Sequence, residues 1–153
     1  MILVNGDSFT YGEESSIAWP NLISGTVNMA ESGYSNDAIV RTTVNSIESC
    51  LLSVEYVIVA WTTPNRIELN GQHLTPHSHR KYGSICDHVF LDWNEQWANA
   101  KFHTQVLLLD AYIKSKNIPY VFIRTFDVPD TTAGDWMPGS IVCLLYTSPS
   151  PRD

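Results

Sequence analysis

Basic residues are scarce in this chain. Nine Lys and Arg stand against sixteen Asp and Glu over 153 residues, a formal net charge of −7 at neutral pH. The basic residues are scattered and form no run. Phosphate backbones and anionic lipid surfaces are held by clustered cations, so both a nucleic-acid partner and a membrane-surface role are argued against. Cysteine is nearly as rare. Cys50, Cys86 and Cys143 form no Cys-x-x-Cys pair and no evident disulfide framework, which fits a reducing compartment. No stretch is long and apolar enough to span a bilayer. Met1-Ile2-Leu3-Val4 offers neither a basic start nor a small-residue cleavage site, so cytoplasmic synthesis is expected. Also lacking are a Gly-x-Gly-x-x-Gly after the first apolar run and a P-loop, which argues against nucleotide binding. No cofactor is implied, and the sequence leaves the oligomeric state open.

What is present is the composition of an ordinary globular domain, with 44% apolar and 16% charged residues. The length fits one domain. Ile2-Leu3-Val4 predicts a strand that ends in the turn Asn5-Gly6-Asp7-Ser8. Ile17 to Ile23 predicts a short helix with Pro20 in its first turn, and Val27 to Ala30 a second strand. Ser35 or Asn36 can cap a helix with Asp37 in its first turn. Ile39, Val40, Thr43, Val44, Ile47 and Leu51 recur at helical steps along one face of it. Tyr56 to Trp61 is an unbroken, β-branched run, as in a strand buried on both faces. Asn65 to His88 is polar and rich in Gly, Pro and His, and reads as loop. Phe90 to Asn117 is expected to contain a long helix, with Trp93, Trp97, Ala100, His103 or Thr104, Leu107 and Ile113 or Ala111 near one side, and Asn117 at its C-terminal cap. Tyr120 to Ile123 predicts another buried strand, and Asp127 to Gly139 a loop.

Alternating buried strands and helices imply an α/β fold: a flavodoxin-like parallel sheet of at least four strands in three α/β/α layers, in the order 2-1-3-4. Ligands in such sheets bind beyond the C-terminal strand ends. Ser8, Gly33 and Thr62/Thr63 each follow a strand and fall on that rim.

The last eleven residues, Cys143 to Asp153, end in a Pro/Ser run without periodicity and coincide with the in-frame translation of a transposase-type sequencing adapter. They are expected to stand apart from the fold, leaving residues 1–142 as the domain, incomplete at its C-terminus.

The chemistry resides in the first turn. A serine hydroxyl is a weak nucleophile that needs a base and donors for the oxyanion. A tight turn at a strand end exposes Oγ while its own N–H faces the same point, and a glycine in a neighbouring loop brings a second N–H close. Asn5-Gly6-Asp7-Ser8-Phe9-Thr10-Tyr11-Gly12 resembles the first block of the SGNH/GDSL hydrolase superfamily. Asn28-Met29-Ala30-Glu31-Ser32-Gly33, with Arg41 beyond, is similar to its second block. The resemblance spans nearly all of residues 1–126 in element order. It implies Ser8 as nucleophile, the N–H groups of Ser8 and Gly33 in the oxyanion hole, and Asp7 in support, holding the turn.

The sequence departs from that family twice. Its third block is Gly-x-Asn-Asp, whereas Trp61-Thr62-Thr63-Pro64-Asn65-Arg66 follows the third strand here. Counting from the strand places Thr63 on the oxyanion Asn, with Asn65 as the rival. The family's Asp-x-x-His is absent after Tyr120, so no triad base is named, and that pair is expected beyond Val142. His73, His77 and His79, with Asp87 and His88 nearby, have a spacing that suits a metal, but in a Gly/Pro loop they read as solvated, and no metal is assigned. Trp61, Trp93 and Trp97 read as core, Cys50 as a small buried hydrophobe, and Cys86 as a cysteine without an obvious partner. The expected activity is hydrolysis of a small-molecule or carbohydrate ester. A non-catalytic binding or structural protein on the same fold is the alternative.

Overall fold

The computed structural model describes residues 1–13, 15–50, 53–75, 83–124 and 141–142, the side chains of residues 50, 141 and 142 excepted. The leading apolar run forms β1 (Ile2–Asn5). It is followed by a one-turn helix, α1 (Ser8–Tyr11). β2 (Thr26–Asn28) and α2 (Asn36–Cys50) come next, then β3 (Tyr56–Trp61). A hairpin, β4 (Ile67–Leu69) and β5 (Gln72–Leu74), precedes α3 (Ser84–Leu91) and α4 (Glu95–Ser115). β6 (Tyr120–Arg124) and β7 (Ile141–Val142) complete the elements.

The main sheet has five strands in the order β2-β1-β3-β6-β7, and every pairing in it is parallel. Its first four members follow the expected 2-1-3-4 order. The class is α/β, a parallel sheet flanked by helices. β3 lies at the centre, with Ile2 to Asn5 beside Tyr56 to Val59 on one flank and Tyr120 to Arg124 beside Val57 to Trp61 on the other. That position explains its unbroken apolar sequence, since alternate residues meet opposite faces and both faces are covered. Val57, Val59 and Trp61 join one core with Ile39 and Ile47 of α2 and Phe102, Val106, Leu109 and Ile113 of α4. Val4, Ile58 and Ala60, the intervening residues, are buried as well. Each of the buried Val, Ile, Leu and Phe side chains contributes about 1.5–3 kcal/mol by leaving water.

Several local expectations are corrected. Ile17 to Ile23 forms only a 3-10 turn, Trp19–Leu22, with Pro20 in its first turn; Ile17 and Leu22 are exposed, so no apolar face holds a longer helix. The polar segment after Asn65 contains a hairpin. Asn70 and Gly71 both have positive φ, 51° and 75°, as an Asn-Gly two-residue turn requires. The expected long helix is α4, Glu95–Ser115, and the separate α3 before it was not foreseen; the Asn94 side chain accepts from the Trp97 N–H at 2.9 Å and starts α4 afresh. Its buried apolar stripe is Ala98, Phe102, Val106, Leu109 and Ile113; Ile113 was expected there, whereas Trp97 and Leu107 are exposed and the face is rotated towards Phe102 and Val106. The phenylalanine and aliphatic groups bury cleanly, whereas Trp97 stacks edge-on against half-buried Trp93 with Lys101 above its ring. On α2, Ile39, Thr43 and Ile47 face inward as expected; Leu51 lies outside the described residues. So do the 127–139 loop and residues 143–153.

Candidate active site

The turn after β1 is built from side chains that fix its backbone. Asn5 is buried, and its amide donates to the Ile39 carbonyl at 3.1 Å and to the hydroxyls of Thr42 and Thr43 at 2.7 and 2.9 Å. Its oxygen accepts from the Gly6 N–H at 2.9 Å. Gly6 has no room for a side chain: a Cβ there would lie 2.3 Å from Thr10 Oγ1. Asp7 caps α1, its Oδ1 accepting from the Phe9 N–H at 3.2 Å. Its Oδ2 accepts from Thr62 Oγ1 at 2.7 Å and from Arg66 Nη1 at 3.3 Å. A buried carboxylate without such donors would be costly; here each oxygen is engaged.

Ser8 is thereby placed as the first residue of α1, half-buried, beyond the C-terminal end of β1. Its carbonyl accepts from the Gly12 N–H at 2.9 Å. Its hydroxyl and its N–H have no hydrogen-bond partner among the described residues. Gly12 closes the helix in the left-handed region, φ 91°.

The second loop is tied to the first. Asn28, at the end of β2, donates to the Thr10 carbonyl at 2.9 Å, and its oxygen accepts from the Ala30 N–H at 3.1 Å. Ser32 Oγ donates to Glu13 at 2.5 Å. Gly33 follows with φ 81°, a conformation that disfavours any side chain. Its N–H also has no hydrogen-bond partner among the described residues. Two cross-links therefore hold the Gly33 loop against the Ser8 turn on one rim of the sheet.

The third loop departs from the sequence reading in its details. Thr62, not Thr63, reaches the turn, through Asp7. Its backbone is clamped by Asn36, whose amide oxygen accepts from the Thr62 N–H at 3.0 Å while its nitrogen donates to the Thr62 carbonyl at 2.9 Å. The Thr63 hydroxyl donates to Asn65 Oδ1, which engages its one proton and leaves the exposed Asn65 side chain with its Nδ2 donors. Sequence reasoning put Thr62 on the rim and Asn36 at a helix start, but missed the bonds by which they and Arg66 hold the turn. Buried polar residues at a strand end and at a helix start were the available signal, because such groups need partners.

His73 is the other surprise. It sits on β5, opposite Glu68 of β4. Its Cβ is 3.9 Å from where a Gly33 Cβ would stand, and its ring centroid is 4.9 Å from that of Tyr34. The hairpin is pinned to α2 by a bidentate Arg41–Glu68 pair at 3.0 and 2.6 Å, which holds the Arg41 guanidinium above its ordinary pKa. The Glu68 N–H also reaches Asp37, which accepts from Lys101 at 2.6 Å and Gln105 at 2.7 Å of α4. Burial first, and Glu31 second, push the Tyr34 hydroxyl up. Burial first, and Arg124 second, hold the His103 imidazole below its usual range.

Among the described residues no three His, Cys, Asp or Glu side chains are grouped to hold a metal; His77 and His79 lie outside them. Cys86 is buried, with Sγ 3.2 Å from the Thr75 carbonyl. His88 is exposed on α3. No described helix is long and apolar enough to cross a membrane.

No family model matches the chain, and no curated protein does. Solved structures do. One is the psychrotrophic esterase EstA from Pseudoalteromonas sp., in a structure inhibited by monoethylphosphonate. It has a TM-score of 0.52 and 13% identity over 84% of this chain and 61% of that chain. Another is a GDSL-like lipase from Bacteroides thetaiotaomicron, with a TM-score of 0.46 and 12% identity over 80% of this chain and 47% of that one. The chain thus has the fold of the Pseudoalteromonas esterase and spans about three fifths of its length. The expected parallel α/β architecture is thus the fold of a solved esterase.

Proposed function

We propose that this chain is a serine hydrolase of the SGNH/GDSL type that cleaves esters through an acyl-enzyme on Ser8. The observation that carries the reading is the Ser8 hydroxyl, half-exposed and unpartnered among the described residues at the start of α1, on the rim where parallel sheets bind ligands. The fold shared with an esterase supports it. Ser8 Oγ attacks the ester carbonyl carbon as its proton passes to a base. The tetrahedral oxyanion is held by the N–H groups of Ser8 and Gly33, with Thr63 or Asn65 beside them. The carbon–alkoxy bond then breaks, the alcohol leaves with a proton, and water releases the acid. Asp7 keeps the turn in place. Each oxyanion donor is worth roughly 3–4 kcal/mol of transition-state stabilisation. The substrate class proposed is a small acyl group on a carbohydrate.

The second reading is a binding protein on the same fold, favoured by the engagement of the Thr63 hydroxyl with Asn65. A single assay separates the two. Acetyl ester hydrolysis is measured for the unaltered chain and for Ser8→Ala, with and without added imidazole as an external base. The hydrolase reading expects a rate that rises with imidazole and is lost in Ser8→Ala. Equal rates in the two proteins at every imidazole concentration would overturn it.

A further inference from the structure

We infer that His73 donates a hydrogen bond from Nε2 to the substrate's carbonyl-derived oxygen beside the Gly33 N–H. The inference rests on the Ser8 hydrolase reading and adds a donor from outside the three sequence blocks. The position comes first: His73 Cβ stands 3.9 Å from the side-chain position of Gly33, the residue that brings an N–H to the oxyanion. The chemistry follows from which nitrogen is enclosed. Nδ1 is buried and has no hydrogen-bond partner among the described residues. A buried N–H without an acceptor is rarer and costlier than an under-used acceptor, so the ring proton belongs on Nε2. Nε2 is neither enclosed nor bonded within the described residues, and His73 is half-buried, so this nitrogen is the ring's outward edge. The Tyr34 ring packs against the imidazole, and the Arg41–Glu68 pair fixes the strand that faces it, so the donor is held rather than free to swing. The need for it is local as well. The Thr63 hydroxyl directs its proton to Asn65, which leaves only the Asn65 Nδ2 group of that loop as a donor there.

The test uses butylboronic acid and the full chain. The Ser8 Oγ–boron bond forms, boron becomes tetrahedral and negatively charged, and the serine proton passes to solvent, so a boron-bound oxygen mimics the oxyanion. Affinity is read by calorimetry for the unaltered chain, Ser8→Ala, His73→Ala, His73→Phe and His73→Gln, with thermal unfolding to confirm that each variant folds. Glutamine sets an amide nitrogen close to the place of Nε2. The expected result is binding lost in Ser8→Ala, weakened about tenfold in His73→Ala and His73→Phe, and restored to within about twofold in His73→Gln, since one charge-assisted hydrogen bond is at stake. Unchanged affinity in all three His73 variants, or equal weakening in all three, overturns the donor role while leaving Ser8 standing. No binding to the unaltered chain, or equal binding to Ser8→Ala, overturns the Ser8 reading and this inference with it.

Discussion

Thr62 Oγ1 donates to Asp7 Oδ2 at 2.7 Å, joining the end of the central strand to the turn that presents Ser8. Both residues are buried, so the bond has no water to replace it. Asp7→Ala removes the acceptor of Thr62, Arg66 and the Phe9 N–H at once and is expected to cost about 2–3 kcal/mol; Thr62→Val is expected to cost about 1 kcal/mol. The double variant should cost less than the sum of the two, with a coupling of about 1 kcal/mol measured by urea unfolding. Strict additivity would mean that the bond contributes nothing to the fold.

Gly6 gives a steric prediction. An added Cβ would fall 2.3 Å from Thr10 Oγ1 and 3.1 Å from the Ala60 carbonyl. Gly6→Ala must push the α1 turn away from β3, at about 1–3 kcal/mol. Gly25→Ala makes a useful contrast, because a Cβ there meets nothing within 4 Å and leaves only the strain of φ 78°. Denaturation midpoints should rank Gly6→Ala as the less stable of the two.

The parallel sheet was legible because β3 and β6 are short apolar runs rich in β-branched and aromatic residues; β3 is buried nearly throughout, whereas in β6 only Phe122 is. The Ser8 turn was legible for the same reason: it follows such a run directly. The hairpin was passed over although Asn70-Gly71, between Ile67-Glu68-Leu69 and Gln72-His73-Leu74, is the usual two-residue turn signal; the polar composition around it masked the alternation. His73 was consequently read as one of a group of solvated loop histidines rather than as a strand residue. Its nearness to Gly33 depends on where the hairpin docks, and that is set by Arg41 and Asp37, far away in sequence. The break before α4 was likewise hidden, because Trp93 and Trp97 looked like one apolar stripe until Asn94 capped the second helix.

His103 supplies a pH prediction with a definite sign. Burial and Arg124 disfavour its protonated form, so its folded pKa lies below the ordinary 6.5. The unfolded chain then binds the proton more readily, and stability rises with pH across this window. The contribution of His103 is intact above about pH 7 and is lost as pH falls through the ordinary imidazole range. Urea midpoints measured at pH 8 and pH 5 should converge when His103→Gln removes the titrating group. An unchanged gap between the two midpoints would assign the acid sensitivity to other residues.

Ser8 as the nucleophile is tested most directly by covalent labelling. The chain is incubated with a fluorophosphonate in the presence of imidazole, and the adduct is located by peptide mass spectrometry. Ser8 Oγ displaces fluoride, its proton is taken up by imidazole, and one phosphonyl group remains bound. The expected result is a single adduct on the peptide containing Ser8, absent in Ser8→Ala. An adduct on another residue, or none on the chain under conditions that label a known serine esterase, would contradict it.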